Sequence, residues 1–307
     1  MQKKSTPGNV KDSAVSGILV LNKPTGITSR KVVDQVVRLL PRAKVGHAGT
    51  LDPLATGILI VCVGAATRLV ENLHDLPKTY RTLIRLGARS DTLDADGRIE
   101  VEASPAIPSS VEIQQAILPL SGTVSQQPPA YSAIKIQGKR AYDLARAGQT
   151  IEPAPRLVRI DRITVINYRW PHLELEIDCG SGTYIRSIAR DIGDSLGCGG
   201  LVETLVRTRT GAFTLDQAID AAALSAESIH GLLRPTLDAV ITLPRLQLDA
   251  TQAEAIIQGK RLSTRDLLGE WISPTGQVAL LDSGGTLIAL GELDLEHGWL
   301  QPRKVLV

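Results

Sequence analysis

Asp52 is the single carboxylate between Asp34 and Glu71, and it sits in a loop of glycines, prolines and small residues, GHAGTLDPLATG at 46–57. An acid in such a setting commonly serves a turn, because Asp-Pro favours turn initiation. The alternative is a carboxylate presented to a ligand at the mouth of the core, since the apolar run ILIVCV (58–63) follows at once. Two further segments offer partners for it. KTY (78–80) opens a strand-like run with Tyr80, and GTYIR (182–186) brings Tyr184 and Arg186 to the start of an amphipathic helix. A carboxylate, two tyrosines and an arginine, each at the end of an element, make a pocket rim. An arginine beside a catalytic carboxylate would hold it ionised and orient it. Either tyrosine also fits the edge of an amphipathic core. His47, five residues before Asp52, suits a turn hydrogen bond or a contact to phosphate or base.

Several common chemistries are missing. There is no GxxxxGK[ST] phosphate loop, no HExxH and no GxSxG elbow. The acidic turn SDTLDADG (90–97) has calcium-loop composition, but the required offsets place Thr92 at the first ligand position and Ala103 at the bidentate one. It reads as a turn, with at most one of its acids engaged elsewhere. Cys62, Cys179 and Cys198 are far apart, with no CxxC pair, which argues against structural zinc and for buried free thiols. No metal and no cofactor is expected.

The 307 residues suffice for roughly two domains. The longest apolar run, near 57–66, is too short to span a bilayer. Residues 1–16 are polar, lack an apolar signal segment and read as a disordered tail, so a cytoplasmic location is the default expectation. Net charge is +2, but it is unevenly distributed. Residues 241–307 hold six Lys/Arg against eight Asp/Glu, while 127–162 hold seven basic residues against three acids. Such a stretch can meet phosphates or simply form a solvated face.

The positioning elements can be read coarsely. GILVLNKP (17–24) predicts a strand and a Pro-Gly turn. Ser29 is placed to cap a helix whose Val32, Val33, Val36, Val37 and Leu40 share one face. Strands follow at 58–63 and 78–87, with helices at about 65–73 and 109–118. The Pro-rich, basic stretch 125–156 reads as an insertion with a short helical piece near 139–147. A half-buried strand at 172–180, a helix at 183–197 and a strand at 201–213 complete a catalytic unit of 17–240. A small β-rich module over 245–307 follows. The fold class is α+β, with a mixed, mainly antiparallel sheet.

Taken together and in order, GILVLNKPTGITS, GHAGTLDPLATG, KTY, SDTLDADG, PPAYSAIK, GTYIRSIARDIG and LVRTRTGAF resemble the bacterial tRNA pseudouridine-55 synthases of the TruB type. The C-terminal module resembles the family's PUA-like RNA-binding module less closely and is acidic here. Lys31 and Val206 stand where an acid and an arginine are common. The resemblance implies isomerisation of one uridine in the T-arm of transfer RNA after base flipping, without cofactor, metal, membrane or obligate protein partner. It implies Asp52 as nucleophile, Arg186 paired with it, and Asp91 joining that arginine. Tyr80 would stack on the uracil, Tyr184 and Leu205 would line the pocket, and His47 would help hold the flipped nucleotide. Lys23, Lys135, Lys139 and Arg140 would contact RNA, the last three on a mobile segment (127–156) that orders over the RNA arm. Competing readings are an RNA chaperone without chemistry, an RNA-guided pseudouridine synthase with protein partners, and a nucleotide metal hydrolase. The last fails for want of clustered ligands.

Overall fold

A computed structural model describes residues 15–132, 135–136, 139–140, 153–267 and 275–307. The expected tail falls almost wholly outside these residues, as do most of the 133–152 stretch and the helical piece from 141 onward. At 135–140 the described backbone is an antiparallel pairing of Lys135–Ile136 with Lys139–Arg140.

Alternating and continuous apolar runs build one large sheet. Gly17–Lys23 pairs antiparallel with Thr56–Val63, which runs parallel to Gly200–Thr210. From there the pairing is antiparallel throughout, to Lys78–Leu86, His172–Cys179, Arg156–Arg169 and Gly122–Gln126. A short parallel pairing of Ile219–Asp220 closes the other edge beside Gly17–Lys23. The sheet is thus mixed and mainly antiparallel, as expected. Thr56–Val63 is apolar along its length because both its faces are covered. Leu59, Val61 and Val63 join a cluster with Val32 and Val36 of the helix Ser29–Leu39 and with Leu40 at its C-cap, whereas Ile58, Ile60 and Cys62 face Leu69, Leu73 and Phe213.

The other long helix, Ile185–Ser195, buries Ile185, Ile188, Ala189 and Ile192 on the sheet. Its Gly193 lies so close to Gly199 and Gly200 that a Cβ would enter their backbone. Close approach of this helix to the Gly200–Thr210 strand fixes where its first turn, carrying Arg186, meets the sheet.

Two details differ from the sequence reading. The helix cap is Thr28, whose side chain accepts from Lys31 N; Ser29 lies inside the first turn and is used otherwise. Arg156–Arg169 is a fourteen-residue strand that the sequence reading did not assign. Apolar Leu157 and Ile166 point outward, and two register shifts interrupt the pairing, so the period-2 signal is weak.

A second sheet has the order Arg245–Gln247, Thr275–Leu281, Leu287–Asp294, Trp299–Val305, Leu262–Ser263. With the helix Ala250–Ile257 it encloses its own core of Leu246, Leu248, Ile256, Leu280, Ile288 and Leu300. It also abuts the first unit, where Lys304 Nζ meets Glu71 at 2.7 Å and Asn72 donates to Gln277 at 2.7 Å.

Gly57 is the position where the fold most needs glycine. Its φ is +98°, and a Cβ there would run into the carbonyl oxygen and the nitrogen of Arg207 on the neighbouring strand. Gly57→Ala is expected to cost at least about 2 kcal/mol, read as a lowered urea midpoint at unchanged m-value.

Candidate active site

The loop that carries Asp52 is fastened to the loop after the first strand. Lys23, fully buried, donates from Nζ to Pro24 O at 2.9 Å, Ile27 O at 2.7 Å and Pro53 O at 3.2 Å. Gly26 N donates to Pro53 O at 2.8 Å, and Thr25 Oγ1 to Leu54 O at 3.1 Å. Ser29 Oγ both donates to Leu51 O at 3.0 Å and accepts from Leu51 N at 2.8 Å, as a strand neighbour would. Asp52 is thereby held between Leu51 and Pro53, each anchored through its backbone. This is why a polar, Pro- and Gly-rich loop places one carboxylate reproducibly.

Arg186, almost fully buried, reaches Asp52 from the first turn of its helix. Its Nε lies 3.0 Å from Asp52 Oδ2 and its Nη1 lies 3.3 Å from Asp94 Oδ2. The Nε–H is not aligned on the carboxylate, so this contact is an ion pair rather than a formed hydrogen bond. Aligned bonds go instead to backbone carbonyls, from Nη1 to Thr92 O at 2.8 Å and from Nη2 to Tyr131 O at 3.0 Å. Asp52 is a third exposed and Arg186 is not, so the acid is accessible while its partner is fixed.

The second acid is Asp94, not Asp91, and this corrects the assignment carried by resemblance. Leu93 adopts φ +63°, a left-handed conformation uncommon for a side chain of that size. The turn is pinned to the Gly200–Thr210 strand by Ala95 N to Val202 O at 2.9 Å and Val202 N to Leu93 O at 3.0 Å. That bridging turns Asp94 inward, where Thr92 Oγ1 donates to it at 2.5 Å. Asp91 is left exposed, accepting from Arg98 N at 2.8 Å. Burial pushes the Asp94 carboxyl up and the nearby Asp52 adds to this, while Thr92 and Arg186 pull it back.

A cavity of about 320 Å³ opens over Asp52 and Arg186 and is lined also by Tyr80, Tyr184, Leu205 and Arg207. Five of the sequence-predicted residues therefore meet in one place. Tyr80 is buried in the sheet with Arg207 as its cross-strand partner. Burial pushes its phenol up, against the charge and hydrogen bond of Arg207, so it stays protonated near neutrality. Tyr184 caps the helix without a side-chain cap bond, its backbone clamped instead by buried Gln126, which accepts from Tyr184 N at 2.8 Å and donates to Tyr184 O at 3.0 Å.

Two expected residues stand elsewhere. His47 lies on the Val45–Ala48 strand, does not line this cavity, and is pushed down by burial and by Arg207 and Arg30. Lys23 is buried within the fold, so its role as a direct RNA contact gives way to anchoring the Asp52 loop. The side chains of Lys135, Lys139 and Arg140 lie outside the described residues. Sequence reading missed Asp94, Gln126, Lys78 and Arg207. Only Asp94 left a signal, as one of three acids in a turn.

With this geometry in place, the comparisons are consistent across the chain. The description "TruB family pseudouridylate synthase (N terminal domain)" matches residues 37–185, and "tRNA pseudouridylate synthase B C-terminal domain" matches residues 186–244. The chain belongs to the TruB family of pseudouridylate synthases. The tRNA pseudouridine synthase B of Aromatoleum aromaticum (strain DSM 19018 / LMG 30748 / EbN1) is 40% identical over 95% of this chain and 93% of its own length. That of Mycobacterium sp. (strain KMS) is 44% identical over 87% and 92%. A chain from a crystal structure of a Cbf5-Nop10-Gar1 complex superposes with a TM-score of 0.71, at 26% identity over 95% of this chain and 85% of that one. This TruB-family chain thus has the family's α+β fold, with a PUA-like β-rich module at its C-terminus. No helix among the described residues is long and apolar enough to cross a membrane.

Two measurements test the site's wiring. Asp94→Asn leaves buried Arg186 short of one counter-charge and is expected to lower the rate of the chemical step by on the order of a hundredfold, whereas Asp91→Asn should stay close to the parent. Lys23, whose burial depresses its pKa to about 8, binds fewer protons folded than unfolded between about pH 8 and 10.5. Its contribution to stability therefore rises with pH over that window. Compared with Lys23→Met in parallel urea titrations, the parent is expected to gain up to about 1.4 kcal/mol per pH unit there.

Proposed function

We propose that this chain converts a specific uridine in the T-arm loop of transfer RNA to pseudouridine, with Asp52 as the nucleophile and no cofactor. The observation that carries the reading is the pair formed by a partly exposed Asp52 and a buried Arg186, set at the floor of a cavity walled by two tyrosines and a leucine. The reaction breaks the N1–C1′ bond, turns the base and joins C5 to C1′. The proton lost from C5 balances the one gained at N1, so no redox partner is needed. A stacked uridine cannot reach this cavity, so the nucleotide must first be extruded. Tyr80 and Leu205 then offer apolar surface to the uracil, with Tyr184 at the rim. Catalytic residues in this scheme are Asp52 and the base-contacting Tyr80; Arg186 is the counter-charge that faces Asp52, and Asp94 holds Arg186. Lys135, Lys139 and Arg140 lie on a segment proposed to follow the RNA backbone, and residues 245–307 form the proposed second RNA-binding unit. The family resemblance supports a cytoplasmic enzyme that works without obligate protein partners.

A chaperone that only binds transfer RNA has no use for a buried arginine paired with two acids beneath an open cavity. Buried charges of this kind beneath an open cavity are characteristic of active sites. The RNA-guided reading differs in needing a guide RNA.

The decisive test uses Asp52→Asn, which keeps shape and removes the charge. Binding of unmodified transfer RNA should persist, because phosphate contacts and stacking supply most of the affinity. Single-turnover formation of pseudouridine, mapped by position, should fall below detection. Retained isomerisation by this variant would return Asp52 to a turn role. Activity of the parent only in the presence of a guide RNA would favour the RNA-guided reading.

A further inference from the structure

The cavity contains more buried positive charge than its acids balance. Arg186 is compensated by Asp52 and Asp94. Three other cations line the same space, and none of them forms an ion pair with a carboxylate among the described residues. Lys78 is 5% exposed, and its one hydrogen bond goes to the carbonyl of His74. The acid whose charge acts on it is Asp75, which is exposed and sits beside the His74 ring at 3.4 Å. Arg207 is 2% exposed and donates to two carbonyls, Ile58 O at 2.7 Å and Gly49 O at 3.1 Å. Arg156 stacks 4.8 Å over the Tyr184 ring and donates to Gly182 O, with its Nε buried and unpartnered.

Carbonyl dipoles satisfy hydrogen-bond geometry but do not neutralise a cation, so the buried Lys78 and Arg207, with half-buried Arg156 beside them, would gain from an arriving anion. Uracil is neutral and offers no such charge. The flipped nucleotide, however, carries a phosphodiester on each side. Lys78 and Tyr80 are two apart on one strand and so face the same way. A base against Tyr80 would bring one of its flanking phosphates alongside Lys78.

We propose that Lys78, assisted by the field of Arg207 and by Arg156, forms a phosphate subsite that takes a backbone phosphate flanking the flipped uridine. The proposal rests on RNA as the substrate class and assigns the anion for which these cations are held. Lys78 acts in positioning: it draws the backbone in so that the base seats over Asp52.

The test measures binding rather than conversion, using a T-arm stem–loop RNA and copies with one methylphosphonate, 5′ or 3′ of the target uridine. Against native RNA, Lys78→Met is expected to bind roughly tenfold or more weakly, as for loss of one charge-assisted hydrogen bond. The slope of log K against log salt should fall in magnitude by roughly 0.7–0.9, and Lys78→Arg should restore it. One of the two methylphosphonates should weaken the parent by a similar factor and add nothing to Lys78→Met. Additive losses at both positions, or an unchanged salt slope, would overturn the subsite. Should Lys78→Met fail to fold, the parent alone decides: equal affinity for native and both neutralised RNAs overturns it. Competition by inorganic phosphate, without any methylphosphonate effect, would assign the cations to a free anion and also overturn it. A parent that binds with this pattern yet never isomerises the RNA would refute the proposed reaction and leave the subsite standing.

Discussion

One buried guanidinium organises this site. Arg186 is almost wholly out of water, and an arginine cannot shed its charge to relieve that. It therefore has to find acids and carbonyls, and it finds them on three separate pieces of chain: Asp52 on the Gly-rich loop, Asp94 and Thr92 on the acidic turn, and Tyr131 at the edge of the basic stretch. Each piece is loop at the point of contact, and the shared charge ties the three together. The helix that carries this charge is fixed by the contact of Gly193 with the next strand.

The Asp52 loop needs a second support, because an ion pair whose Nε–H is not aligned does not set the angle of a carboxylate. That support comes from Lys23, Gly26, Thr25 and Ser29, which bond the main chain of 51–54 rather than the acid itself. The arrangement separates two demands. Backbone bonds hold the position of Asp52, and Arg186 faces it as a fixed counter-charge, so the backbone anchoring leaves the carboxylate oxygens free of main-chain bonds.

Legibility in the sequence follows the same division. Strands with clean alternation, such as His172–Cys179, and helices with one apolar face could be read because their pattern reflects local burial. Asp52 could be read because it is isolated among residues with no other chemistry. Asp94 could not be told from Asp91, since three acids in one turn look alike until the left-handed Leu93 and the bridge to Val202 decide which one turns inward. Arg207 and Lys78 looked like ordinary strand positions, because a cation bonded to carbonyls leaves no acidic partner in the sequence to betray it. Lys23 was misjudged for the converse reason: its charge suggested RNA, whereas its three carbonyl bonds place it wholly inside.

The cations of the cavity thus fall into two kinds with different energetic logic. Arg186 is neutralised by the chain's own acids and is complete before any ligand binds, which keeps Asp52 preset. Lys78, Arg207 and Arg156 are coordinated but not neutralised among the described residues, so the folded chain carries an uncompensated field in a low-dielectric wall. Such a field favours an anion most where water is excluded. In the proposed reaction an extruded nucleotide would both bring the anion and displace the water, so its entry would strengthen the interactions that hold it. The sheet pairing of Arg207 with Tyr80 ties that field to the tyrosine wall, and through Gly49 to the loop of Asp52. Charge, wall and the Asp52 loop are therefore set by one set of backbone contacts, and a substitution that shifts Arg207 would disturb all three together.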